Sequence, residues 1–462
     1  MAADDSTCAV VVSRADPASV HIGDHLLELA DWERVVDGSR SDGEGSGAVY
    51  RTPGFELREF DDRHLDLEGV ADAFVDPDLV VFASKHAGDT GPLLTAHHTG
   101  NFGPADHGGE SGAFARACPN AQAHVLGALS EHAPSGYDVG MECTHHGPTD
   151  VGAPSMFVEL GSSETEWDDP EGSRAVARAI LGLREVAPHR ERQVVGFGGG
   201  HYVPRFERVV RETDWAVGHI GAAWSLDAMG DPADSADVLR RAFERSGATR
   251  ALVEGDRPGL VSTVEELGHE VVTETWLRET AGVPLDLVSQ VEGTIGTIDM
   301  GLRFGDRPSE DGEAVDGIAT TSLPAALLTE VGGIDPEAAR AAVEQRAVAF
   351  DTDHGGSRLA GRVALRDTDD RGGIIDAFAE ILDGGYETVE RRDGALVARE
   401  TAFDPAAARD AGVPEGPAFG CLAAGEAVTV DGETVEPAVV HTRRKRRFPL
   451  DGCDTRRTEG ER

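Results

Sequence analysis

The chain reads as an α/β protein. Its sheet is mixed or mostly parallel with flanking helices, and a smaller C-terminal α+β domain follows. Three observations predict this. Short β-branched apolar runs alternate with helix-length amphipathic segments over about the first 275 residues, the pattern of a layered α/β domain. Polar, imidazole-bearing clusters recur just after those runs, where open α/β sheets place their sites. After about residue 275 the composition shifts, and a Gly/Asp/Glu-rich stretch at 301–320 separates off the remainder. The expected division is 1–275, a linker region 276–320, and 321–462.

Cys8-Ala-Val-Val-Val-Ser-Arg14 is a buried strand, and residues 17–30 form a helix with Ile22, Leu26, Leu27 and Leu29 as its apolar side. Residues 38–47 are loop, and 48–68 hold two short strands. Asp78–Ser84 is a buried strand ending on Lys85-His86. Leu93–Ala96 repeats the arrangement, running into His97-His98-Thr99-Gly100-Asn101. Pro119–Ala133 is a helix opened by proline. The strand beginning at Tyr137 runs into Glu142-Cys143-Thr144-His145-His146, and Gly147-Pro148 turns the chain away. Strands follow at 156–160, 193–197, 215–220, 251–254 and 269–272, with helices at 170–186, 231–246 and 257–267. Beyond the linker, 335–348 and 374–382 are helical, 358–366 is a strand and 387–400 a hairpin. Arg443-Arg-Lys-Arg-Arg447 is the dense basic block of the C-terminal tail, readable as an RNA-phosphate contact or as a solvated terminus.

Acidic residues number 84 against 42 Lys and Arg, and only Lys85 and Lys445 are lysines. The acids are spread along the whole chain, as a protein adapted to very high salt requires. There the Debye length is about 3 Å, and dense carboxylates hold water without strong self-repulsion. The charge therefore reports habitat and excludes no nucleic-acid partner. No run of about 18 apolar residues crosses a membrane, and the acidic start Met1–Asp5 has no signal pattern, so the chain is expected in the cytoplasm, as a monomer. Five scattered cysteines without a Cys-x-x-Cys pair exclude a disulfide framework.

The chemistry concentrates in His86, His97, His98, Glu142, His145, His146, His201 and His219. Imidazole and carboxylate donors on rigid strand ends are what a catalytic metal needs, and zinc typically takes about three protein ligands and leaves one position open. Any one of these histidines alone reads as a hydrogen-bonded core residue; the set reads as metal or acid–base chemistry. There is no His-Glu-x-x-His helix. Gly198-Gly199-Gly200 before His201 lets backbone N–H groups approach an oxyanion or phosphate, or is a plain tight turn. Cys143 reads as a packed thiol before it reads as a nucleophile. Thr99, Asn101 and Thr144 orient a substrate or satisfy turn backbone. The histidines are expected to converge at one edge of the sheet.

His97-His-Thr-Gly-Asn-Phe-Gly103, Glu142-Cys-Thr-His-His-Gly-Pro-Thr149, Gly198-Gly-Gly-His-Tyr-Val-Pro-Arg205, Gly218-His-Ile220 and Ala83-Ser-Lys-His86 together resemble the archaeal and plant type of D-aminoacyl-tRNA deacylase over about residues 7–275. With its acidic composition, the chain resembles a haloarchaeal member. The resemblance implies a fold like that of peptidyl-tRNA hydrolases and nucleoside phosphorylases. It implies zinc, two ions per chain, and hydrolysis of the ester joining a D-amino acid to the tRNA 3′ end by zinc-activated water. Matching positions are His86, His97, Thr99, Asn101, Glu142, Thr144, His145, His146, His201 and His219. His98 departs from the pattern, which is apolar there, and Cys143 stands where other members carry Ala. From these positions the expected metal ligands are His86, His97, Glu142, His145, His146, His201 and His219. Expected in catalysis are Thr99, Glu142, Thr144, His145, His146 and His201, with Gly198, Gly199 and Gly200 steadying the oxyanion. The rival readings are another RNA-end hydrolase, such as a peptidyl-tRNA hydrolase, and a non-catalytic tRNA-binding protein. Gly412–Leu422 resembles the Gly-Val-Pro-x-Gly-Pro segment of tRNA 3′-processing nucleases.

Overall fold

The computed structural model describes residues 7–306 and 318–450. The chain divides into two compact units, Met1–Ala281 and Gly282–Arg462. The acidic start Met1–Asp5 lies outside the described residues, as does part of the expected linker, 307–317.

In the first unit, β1 (Cys8–Ser13), β2 (Glu33–Asp37), β3 (Gly47–Thr52), β4 (Phe55–Phe60), β5 (Leu79–Ala87), β6 (Leu93–His97), β7 (Asp138–Met141) and β8 (Ser155–Ser162) form one sheet. Their spatial order is β2-β3-β4-β1-β5-β8-β6-β7. β1 is parallel to β4 and β5, and β5 to β8. β6 runs antiparallel to β8 but parallel to β7. Every residue of β1 is buried, which explains why its sequence is a continuous apolar run and not an alternation. Each buried Val there contributes roughly 1.5–3 kcal/mol relative to exposure. The helix Pro17–Leu29 starts where Asp16 accepts a hydrogen bond from the Ser19 N–H, with Pro17 in the first turn. It packs beside the helix Pro170–Leu181.

A second, all-parallel sheet follows: β9 (Gln193–Phe197), β10 (Ala216–Gly221), β11 (Arg250–Val253) and β12 (Glu270–Val272), in the order β10-β9-β11-β12. Parallel neighbours need crossovers, and the helices Pro204–Glu212, Ala236–Ser246 and Pro258–Glu266 supply them. The first of these, like β2 and the helix Ala223–Met229, was not anticipated. All are short, five to nine residues each.

The second unit is α+β. β13 (Leu302–Phe304), β14 (Ala319–Ser322), β15 (Ala349–Asp353) and β16 (Arg358–Leu365) form an antiparallel sheet in the order β13-β15-β16-β14. β17 (Thr388–Arg392), β18 (Ala395–Phe403), the hairpin β19 (Val428–Val430) with β20 (Glu433–Val435), and β21 (His441–Pro449) complete the strands. β17, β18 and β21 pair antiparallel in that order. Leu327, Val331, Val343, Phe350, Ile374, Phe378 and Leu396 meet in one buried core. The expected linker region carries the helix Leu285–Thr294 and β13. The basic block Arg443–Arg447 is not a loose tail, because it lies inside β21.

Candidate functional site

Strand periodicity builds the site. Side chains alternate across a strand, and partners in register share a face. Ser84 pairs with Glu159 and His86 with Gly161 across β5 and β8. Thr95 pairs with Glu159 and His97 with Phe157 across β6 and β8. His86, Glu159 and His97 therefore share one face of three adjacent strands. The pairing of Thr95 with Gly140 carries that face to Glu142, two residues on. This corrects the expectation of a meeting at one sheet edge. β6 opposes β8 in direction, so the strand ends diverge and the groups meet over the sheet's face. Gly161 makes room, since a Cβ there would lie 2.6 Å from the His86 Cβ.

Two buried carboxylates anchor the cluster. Glu142, only 1% exposed, accepts from the Thr95 hydroxyl through Oε1, which also lies 3.2 Å from His86 Nδ1. Its Oε2 lies 2.7 Å from His201 Nε2. Glu159 places Oε2 3.4 Å from His86 Nδ1 and Oε1 3.5 Å from His97 Nε2. His86 Nε2 faces the Tyr202 hydroxyl at 2.8 Å.

Three further imidazoles converge beside them. His97 Nδ1 lies 3.2 Å from the His98 carbonyl, His145 Nδ1 2.9 Å from that of Cys143, and His146 Nδ1 2.7 Å from that of Gly147. A carbonyl only accepts, so each Nδ1 carries the proton and leaves Nε2 for another partner. Metal-ligating histidines are typically held by such a bond from the second nitrogen. One ligand atom from each of the three lies within 4.8 Å of the others. His97 Nε2 is buried without a hydrogen-bond partner. Consecutive residues of an extended chain would point apart. His146 instead adopts φ +44°, a conformation costly outside glycine, and its ring stands 4.4 Å from that of His145.

The electrostatics call for a cation. Burial disfavours charge on His86, but its bonds to Glu142 and Glu159 outweigh that and push it up to about 11. His97 is also raised, because Glu159 overcomes its burial. Burial would raise both carboxyls, yet their imidazole partners hold them below the usual range. Burial and the charge on His97 pull His145 down to about 3, and burial and His145 lower His146. His145 and His146 are thus neutral, the donor form, while the two ionised carboxylates hold His86 and His97 protonated; a divalent ion taking the place of those protons would meet imidazole and carboxylate donors. The residues fit a metal in overlapping groups: His97, His145 and His146; His86, Glu142 and Glu159; and Cys143, His145 and His201. Cys143 is the poorest donor, since burial and Glu142 push its thiol up to about 12.

The cluster opens on a cavity of about 750 Å³, lined by His86, His145, His146, Glu159 and His201, with Arg63, Lys85 and Trp224 also on its walls. His201, whose side chain is 37% exposed, is the most accessible imidazole of the set.

Other expected residues fall elsewhere. His219 is not a ligand. It is fully buried, Nε2 bonds the Ala115 carbonyl at 2.9 Å and Nδ1 meets the Thr144 hydroxyl at 3.1 Å, so both nitrogens are occupied. Burial lowers it to about 4, keeping it neutral. The Thr144 hydroxyl in turn accepts from the Ile220 N–H, and that of Thr99 donates to the Pro148 carbonyl. Both hydroxyls are tied to scaffold and not aimed at a substrate. Asn101 braces the 108–110 loop through two backbone carbonyls. Gly198, Gly199 and Gly200 do not line the cavity. A Cβ on Gly198 would collide with the Glu254 carbonyl at 2.3 Å, and the Gly198 N–H is bonded to the Gly221 carbonyl, so Gly198 serves a close-packed turn and its N–H is not free for an oxyanion. Glu159 was missed. Its signal was a lone carboxylate in the apolar run Met156–Leu160, where an ionised group survives burial only when paired.

A mixed α/β scaffold that gathers imidazoles and carboxylates on a solvent-reached cavity defines a metal-competent enzyme centre. Residues 73–272 match the family model described as D-aminoacyl-tRNA deacylase. The chain is 56% identical over 441 residues to the D-aminoacyl-tRNA deacylase of Natronomonas pharaonis, covering 95% of this chain and 99% of that one. It is 54% identical to that of Haloarcula marismortui, covering 96% and 99%. A solved structure described as a conserved protein of unknown function aligns with a TM-score of 0.53 and 28% identity, over 60% of this chain and 98% of that one. The chain belongs to the D-aminoacyl-tRNA deacylase family. The family model stops at residue 272, whereas the Natronomonas match extends well into the second unit.

Proposed function

We propose that the chain hydrolyses the ester of D-aminoacyl-tRNA, releasing free D-amino acid and tRNA, at a metal-assisted centre over β5, β6, β7 and β8. The observation that carries this is the convergence of His97, His145 and His146, each held through Nδ1, beside the buried Glu142 and Glu159. Its relatives' names support the substrate. His97, His145 and His146 would hold one zinc ion and His86, Glu142 and Glu159 a second. Zinc bound there supplies Lewis acidity toward an ester carbonyl and acidifies water.

The chain's own groups do the rest. The cavity admits the aminoacylated 3′ end and keeps it over the cluster. Water adds to the carbonyl carbon, and the bond from that carbon to the ribose oxygen breaks. His201 carries the proton from the water to the departing ribose oxygen. It is the most exposed imidazole, and the Glu142 carboxylate 2.7 Å from its Nε2 orients the ring. Thr144 and His219 keep the loop carrying His145 in place.

The test is hydrolysis of D-tyrosyl- and L-tyrosyl-tRNA in multimolar KCl, with and without a chelator. Release of D-tyrosine that the chelator abolishes and zinc restores is expected. No hydrolysis of the D-ester with any metal overturns the activity, and equal rates on both esters overturn the chirality. Hydrolysis untouched by the chelator overturns the metal.

A further inference from the structure

The site residues named above all belong to the first unit, and the second unit carries an unusual surface of its own. In β17, β18 and β21 the register pairs Thr401 with Arg443, Arg399 with Lys445 and Val397 with Arg447. It pairs Thr388 with Arg399, Glu390 with Val397 and Arg392 with Ala395. Residues directly opposite share a face. One face of this sheet therefore carries Arg392, Arg399, Arg443, Lys445 and Arg447, with Glu390 as its one acid. The chain as a whole has twice as many acids as bases, 84 to 42, so this face inverts the balance five to one.

The other face carries Arg391, Arg444 and Arg446, but these are engaged: Arg391 pairs with Asp376, Arg446 with Glu330, and Arg444 donates to the Phe403 carbonyl. Leu396, Ala398 and Phe448 are buried against Ile374, Phe378 and Leu382 of the helix Thr368–Asp383, so the basic face is turned away from that core. Arg443, Lys445 and Arg447 are all exposed, and among the described residues Arg443 and Lys445 make no ion pair. Arg447 donates only to the Asp393 carbonyl, and Arg399 meets Glu390 at 3.1 Å. β21 is also the edge strand. A charged edge resists pairing with another strand, but an edge alone does not require cations on one face of all three strands.

We infer that this face binds the phosphate backbone of RNA, and that the RNA it takes is the body of the tRNA substrate. The inference rests on the tRNA substrate proposed above. A strand rises about 3.4 Å per residue, which spaces Arg443, Lys445 and Arg447 about 7 Å apart, a ladder suited to successive phosphates. Four of the five cations are arginine, whose planar fork binds phosphate through two hydrogen bonds. Such contacts retain geometry and hydrogen bonding where salt screens bare charge. β17, β18 and β21 expose no large apolar side chain among the described residues, so nothing on this face would enter a bilayer.

The experiment uses the full chain with Arg443→Glu, Lys445→Glu and Arg447→Glu combined, and the milder Arg443→Gln, Lys445→Gln, Arg447→Gln set. Binding of labelled, uncharged tRNA is measured over a KCl series, with hydrolysis of D-tyrosyl-tRNA and of the minimal ester D-tyrosyl-adenosine. Wild-type affinity should fall with salt. The glutamate variant should bind about tenfold more weakly or worse, and the slope of log K against log[KCl] should flatten by about 2 for three lost phosphate contacts. KM for D-tyrosyl-tRNA should rise with kcat unchanged, the glutamine set should do the same to a smaller degree, and D-tyrosyl-adenosine hydrolysis should stay at the wild-type rate. Unchanged tRNA affinity and KM in variants with wild-type melting overturn the inference. So does a variant that loses binding to anionic vesicles while keeping tRNA. If wild type binds tRNA through this face but cleaves neither ester, the proposed activity has failed and the RNA surface stands.

Discussion

Two sets of histidines lie in the first unit and do opposite things. His97, His145 and His146 each spend Nδ1 on a backbone carbonyl and leave Nε2 for the others. His98 and His219 spend both nitrogens. His98 bonds the Gly218 carbonyl through Nδ1 and accepts the Cys118 N–H through Nε2, and His219 is closed by Ala115 and Thr144. Residue type is the same in both sets; His97, His98 and His219 are buried, while His145 and His146 are half-buried. What differs is whether the second nitrogen makes a hydrogen bond to the protein: His97 Nε2 makes none, its nearest carboxylate being Glu159 at 3.5 Å, and Glu142 lies 3.8 Å from His145 Nε2. A chemistry-bearing histidine here is recognised by the bond it does not make.

That contrast can be broken most sharply at His145. His145→Ala should abolish hydrolysis and lower bound metal, measured by mass spectrometry, while the melting profile stays close to wild type. Full turnover would erase the distinction. Next, His201→Gln should reduce kcat by about 10²–10⁴-fold with metal content retained, because it removes a proton carrier and leaves the His97, His145 and His146 set intact. Loss of metal instead would move His201 into the ligand set.

His219→Ala probes the other side of the comparison. It strands the Ala115 carbonyl and the Thr144 hydroxyl, so unfolding free energy should fall by about 1–3 kcal/mol while metal stoichiometry holds. A metal-depleted but equally stable protein would reverse the assignment. Cys143→Ala should leave kcat/KM within about threefold, since its thiol is buried and protonated at neutral pH.

The smallest effect is read from pH. His64 is buried between Phe82 and Phe157, and burial lowers it to about 4, against about 6.5 for a free imidazole. Between those values the unfolded chain binds the extra proton, so this contribution to stability is present above about 6.5 and is lost as pH falls toward 4. His64→Gln should flatten stability against pH in that window, measured by chemical denaturation. An unchanged slope would place the titration elsewhere.

Much of this was written locally. The apolar runs at 8–13, 79–84 and 193–197 could only be buried strands, and Asp16 before Pro17 could only start a helix. The imidazole-rich ends of β6 and β7 announced a site without alignment. The sequence determined these because strand period, capping and turn chemistry act over a few residues. Tertiary structure alone decided the rest. It took the antiparallel turn of β6 against β8 to lift Glu159 into the cluster from a run that read as core. It took Ala115, more than 100 residues away, to close the ring of His219. It took the register of β17, β18 and β21 to put Arg443, Lys445 and Arg447 on one face with Arg392 and Arg399. Each depends on which strands become neighbours. That choice is made by burial of the whole domain, and no local stretch of residues encodes it.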